Sequence, residues 1–68
     1  MTLSDHCRNL GWDAAELARR AGINARTAKK ALDGDPVTAR VARAIAQALT
    51  EALGRIVTAG SIGGLNVE

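Results

Sequence analysis

The stretch Trp12-Asp-Ala-Ala-Glu-Leu-Ala-Arg-Arg-Ala-Gly-Ile-Asn-Ala-Arg-Thr-Ala-Lys-Lys-Ala-Leu-Asp-Gly34 decides how this chain is read. It divides into two short helical segments hinged at Gly22-Ile23-Asn24. Two helices crossing at roughly 90–120° need a connection of three or four residues, often with a glycine. Gly22 supplies a position that can turn left-handed with no Cβ to clash. Asn24 then stands where a side-chain oxygen can cap the next helix, accepting from the amide of Arg26 or Thr27. Leu17, Ala21, Ile23, Ala28 and Leu32 are spaced to face one another across the crossing, and Ala18 permits a close approach of the two axes. The opposite face of the second helix presents Ala25, Arg26, Lys29 and Lys30, three cations and no acid.

Residues 12–34 resemble the helix-turn-helix of the Cro and phage-repressor family, also called the XRE family. The matching pattern is Leu17-Ala18, three residues, Gly22-Ile23-Asn24 and a closing Gly34, without a gap. Residues 2–11 match the family's first helix and residues 37–53 its fourth more loosely. The resemblance implies an all-α, compact, lambda-repressor-like bundle of four or five helices that binds duplex DNA as a homodimer on a palindromic operator. Each subunit would lay its helix 24–32 in the major groove, in successive grooves about 34 Å apart. Three departures from the family pattern stand out. Ala14 lies where a Gln often braces the recognition helix on a phosphate, and Ala25 lies where a Gln often reads adenine. Ala28 and Ala31 occupy positions commonly held by larger aliphatics.

Within that reading the base-contacting candidates are Ala25, Arg26, Thr27, Lys29 and Lys30. Arg26 offers a bidentate fork to guanine O6 and N7, and Ala25 and the Thr27 methyl suit a thymine methyl. The phosphate candidates are Arg19, Arg20, Asn24, Thr38 and Arg40, with Thr38 and its neighbouring amides forming a helix N-terminus suited to an anion. A repressor that occludes a promoter is the expected regulator, since 68 residues leave little room for a sensing domain.

The rest of the chain is consistent with one small unit. A domain of this length buries only about 60% of its unfolded surface, so oligomerisation would help it. Thr2 or Ser4 can cap a first helix carrying Leu3, Cys7 and Leu10, with Gly11 as its stop. Asp13 can cap the second helix, and Glu16 is placed to complete a capping-box-like pair. Asp33-Gly-Asp-Pro36 is turn chemistry. Thr38 can cap a fourth helix in which Val41, Ile45, Leu49 and Leu53 recur, ended by Gly54. We therefore expect a DNA-binding domain over residues 1–54 and a C-terminal arm over 55–68. The arm's β-branched residues and glycines fit a short strand pair, a turn-like flap or a flexible tail, and it could serve dimerisation or a partner.

Charge and composition narrow the function classes. The net charge is only +2, but Arg19, Arg20, Arg26, Lys29, Lys30, Arg40 and Arg43 cluster in the middle, whereas residues 54–68 carry only Arg55 and Glu68. A basic middle and a nearly neutral tail suggest a DNA face and a separate packing or association surface. Cys7 is the single cysteine, which fits a reducing cytoplasm. No apolar run is long enough to span a membrane, and early charges at Asp5 and Arg8 argue against a signal peptide. His6 and Cys7 lack further ligands for a metal. No catalytic triad, phosphate-cradling loop or carboxylate cluster points to an enzyme, and no cofactor is implied. Trp12, the sole aromatic, is expected in the core. Two competing readings remain. One is an antitoxin- or antiactivator-type interaction module using the apolar tail residues Ile56, Val57, Ile62 and Leu65–Val67. The other is an excisionase-like architectural factor of a mobile element.

Overall fold

The computed structural model describes residues 2–68 and is built mainly of four α-helices: α1 (Leu3–Leu10), α2 (Ala14–Ala21), α3 (Ala25–Leu32) and α4 (Ala39–Leu53). A two-residue strand β1 (Pro36–Val37) separates α3 from α4. A single 3₁₀ turn (Ala59–Ser61) and a second strand β2 (Asn66–Val67) follow. Three of the helices have only eight residues, a length at which an isolated helix is marginal in water. Their ends are accordingly well specified. Thr2 caps α1 in a reciprocal box with Asp5, Asp13 accepts from the Glu16 amide, Asn24 from the Arg26 amide and Thr38 from the Val41 amide. Gly11, Gly22 and Gly54 stop their helices in the left-handed conformation.

The expected capping box at α2 is only half formed. Asp13 does its part, but the Glu16 carboxylate does not return to the Asp13 amide; it lies along the helix against Arg19 and Arg20. Two charge-assisted bonds to the guanidinium groups hold the carboxylate along the helix, away from the Asp13 amide, because such bonds are the stronger kind.

The core is thin and rich in alanine. Leu3, Leu17, Ile45 and Leu49 are its fully buried large side chains, and Ala18, Ala28, Ala31, Ala42 and Ala46 fill the space between helices. Of the four-residue series on α4, Ile45 and Leu49 are fully buried while Val41 and Leu53 are half-buried. Each step of four residues over-rotates by about 40° at 3.6 residues per turn, so the ends of that series drift off the core face and Ala42 and Ala46 take their places. His6, unmarked in the sequence pattern, is buried beside Cys7.

Residues 55–68 fold back along the bundle. The Thr50 hydroxyl accepts from the Val57 amide at 2.9 Å and donates to its carbonyl at 3.1 Å, turning the chain just after α4. Val57 and Ile62 then enter the same core as the helices. The Leu3 amide donates to the Gly63 carbonyl at 2.9 Å, and Gly64 takes φ +76° against the Thr2 side chain. β2 finally pairs in parallel with β1, Pro36 opposite Asn66 and Val37 opposite Val67. Of the three conformations open to the tail, the strand pair is the nearest, with its partner strand supplied by the α3–α4 connection rather than by the tail itself.

Ile62 is 3% exposed and Ile56 is 87% exposed, so two isoleucines six residues apart have opposite roles. Truncating Ile62 to Val should cost about 0.5–1.5 kcal/mol and to Ala about 2–5 kcal/mol in urea unfolding. Ile56→Ala should stay within about 0.5 kcal/mol of the parent.

Candidate nucleic-acid interface

The orientation of α3 follows from its buried side. Ala28 and Ala31 face inward, with Leu32 half-buried beside them. At about 100° per residue this turns Arg26 and Lys30 to the opposite, outward side. Ala25 and Lys29 are exposed on one flank, while Thr27 is half-buried on the other. The helix is eight residues long, or about 12 Å. It is held at its start by Asn24, whose side-chain oxygen accepts from the Arg26 amide at 2.7 Å. At its end the Gly34 amide bonds the Ala31 carbonyl and the Asp35 amide the Lys30 carbonyl, with Gly34 left-handed. Both ends of the cationic helix are thus held, the first by a side-chain cap and the second by backbone hydrogen bonds.

The candidate cations differ in how they are engaged. Arg19 and Arg20 both bond the Glu16 carboxylate, Arg20 at 2.9 Å. Arg20 also sits 5.3 Å from the centre of the Trp12 ring, a cation–π distance. Trp12 is half-buried and packs one side against the core. Lys29 bonds Asp33 at 3.1 Å. Arg26, Lys30 and Arg40 are exposed and have no acidic partner within ion-pair distance among the described residues. Exposed pairs such as Lys29–Asp33 are worth little in water, but each must be opened or shared before the same cation serves a phosphate.

The candidates fall into separate places on the surface. Thr27 and Lys30 share a groove of about 210 Å³ with Val37 and Thr38, at the head of α4. Arg19 and Arg20 line a different groove, between α2 and the middle of α4, with Gly22 and Gln47. Asn24 is occupied by its capping bond. The groove at Thr27 also contains Glu68, a residue that no local pattern connects with α3.

Two carboxyl groups titrate low. Glu16 is held below the ordinary glutamate range by its hydrogen bonds to Arg20 and then Arg19, and Asp5 is lowered by its bonds to the Thr2 amide and hydroxyl. Burial pushes the Cys7 thiol up, away from the reactive thiolate. Among the described residues no group of three or more His, Cys, Asp or Glu side chains is placed to hold a metal ion, and no helix is long and apolar enough to cross a membrane.

No protein-family model, curated protein or solved structure matches the chain closely enough to assign it to a family.

The Glu16 cluster has a checkable titration. A carboxyl lowered on folding contributes stability that is present in full above its unfolded titration and is lost as pH falls through the lower folded value. In an NMR titration of the carboxyl, Arg20→Ala should return Glu16 toward the ordinary range by more than Arg19→Ala does, because the Arg20 hydrogen bond is the larger cause.

Proposed function

We propose that this chain is a sequence-specific double-stranded DNA-binding regulator, a small repressor of the Cro and phage-repressor type, reading a palindromic operator as a homodimer with α3 in the major groove. The observation that carries this reading is the outward face of α3, where Arg26 and Lys30 stand exposed and without an acidic partner among the described residues, on a helix fixed at both ends. The left-handed Gly22 between α2 and α3 and the cap at Asn24 support it, since both belong to the helix-turn-helix pattern.

Arg26 is assigned to base reading, its fork matched to guanine in the major groove. Lys30 and Thr38 line one groove and are assigned mainly to a backbone phosphate, with Arg40 in the first turn of α4 beside them. Arg19 and Arg20 contact phosphate only by sharing Glu16, which makes them weaker contributors. Thr27 reaches a base only from the flank of the helix.

The interaction-module reading retains one foothold. Val57 and Ile62 are taken up by the chain's own core, but Ile56 remains exposed. An apolar groove of about 520 Å³ also runs beside α4 past Ala42, Ala46, Val57 and Val67. Light scattering with and without DNA tests the dimer.

Selection from random duplexes followed by anisotropy titration tests the reader. Arg26→Ala should cost about 1–3 kcal/mol at the preferred site and flatten the preference. Lys30→Ala should weaken all duplexes alike and reduce the salt slope by about one. If neither change alters binding, this face of α3 is not the reader.

A further inference from the structure

The end of the tail returns to the surface assigned to DNA. Beyond β2 the Glu68 amide donates to the Val37 carbonyl at 2.8 Å. That bond sets Glu68 in the groove with Thr27 and Lys30 of α3 and Thr38 at the head of α4. Neither Lys30 nor Glu68 forms an ion pair among the described residues. Lys30, Thr27, Thr38 and Glu68 thus line one groove, and no salt bridge closes across it. An ammonium and hydroxyls beside a helix N-terminus form a donor set for an anion. In a DNA complex the anion presented to such a set is a backbone phosphate. The carboxylate is the one group there that repels a phosphate and can itself stand in its place.

We propose that Glu68 is a tethered counter-charge: its side-chain carboxylate competes with the DNA phosphate for the Lys30–Thr38 groove, so the tail sets how tightly and how salt-dependently the protein holds DNA. This rests on the reading of α3 as the DNA-contacting helix. The tether is short and separable from the core. β2 spans only Asn66–Val67, and both residues are exposed, whereas the buried anchor Ile62 lies upstream. Displacing residues 66–68 opens the short pairing with β1 and leaves the Ile62 anchor in place. Arg26, the assigned base reader, does not line this groove, so the competition acts on affinity and leaves the preference that Arg26 confers unchanged.

The test is an anisotropy titration of a selected duplex and an unrelated one with wild type, Glu68→Gln, Asp5→Asn, Lys30→Ala and the Lys30→Ala/Glu68→Gln double variant. Asp5→Asn removes the same charge from α1, outside the grooves lined by Lys30 and by Arg19 and Arg20, and controls for net charge. At about 50 mM salt, Glu68→Gln should bind both duplexes about three- to tenfold tighter, an advantage that shrinks at about 200 mM salt. Asp5→Asn should gain less than about twofold, and the Glu68→Gln gain should fall when Lys30 is already Ala. A Glu68→Gln gain no larger than that of Asp5→Asn, or one undiminished by Lys30→Ala, overturns the competition while leaving the DNA reading intact. If wild type binds no duplex at any salt, the DNA reading fails and the competition fails with it.

Discussion

The close packing of α2 on α3 is the constraint from which the rest of the molecule follows. Leu17 and Ala18 on one helix and Ala28 and Ala31 on the other are buried in a single core, and Gly22 turns the chain between them in a conformation that an L side chain rarely adopts. Small side chains let the two axes approach closely, and the approach fixes which way α3 faces. Once Ala28 and Ala31 point inward, Arg26 and Lys30 have nowhere to point but out. The cationic face is thus a consequence of the packing as much as of the charges, and enlarging an alanine at the crossing would tilt the whole face.

A core made so largely of alanine leaves little apolar area to offset the entropy of ordering the chain. The tail supplies part of what is missing. Val57 and Ile62 add two larger side chains, and the Thr50 hydroxyl pins the chain where it leaves α4 by bonding both polar groups of one peptide residue. The segment that looked separable by composition therefore shares the hydrophobic core of the helices. Its burial is uneven: Val57 and Ile62 are buried, while Asn66 and Val67 lie exposed along β1.

The helices were legible because their signals are local. Asp13, Asn24 and Thr38 each cap the amide two or three residues ahead, and Gly11, Gly22 and Gly54 stop the helices they follow. The outward cations of α3 were legible for the same reason, since a helical period assigns them a face. The cations' partners were less so. Glu16 had two attractive uses, a capping box and a pair of arginines, and only the geometry of the turn decides between them. The tail was illegible in detail because its partners are distant: Gly63 meets Leu3, Val67 pairs with Val37, and the Glu68 amide bonds the Val37 carbonyl across long stretches of chain. Strands of two residues carry no alternation to read, and a buried Ile62 among glycines looks the same in sequence as an exposed Ile56.

The bond between Leu3 and Gly63 also orders events during synthesis. Chains emerge from the ribosome amino end first, and local contacts form before distant ones. Both α2 and α3 have been synthesised once residue 32 is free, but helices of eight residues stay marginal until a core closes over them. Leu3 then waits beside an open side of the bundle until Ile62 and Gly63 arrive to cover it. For that interval the cationic helix lacks part of the packing that fixes its outward face, and the face becomes a defined surface only as the last of the core arrives.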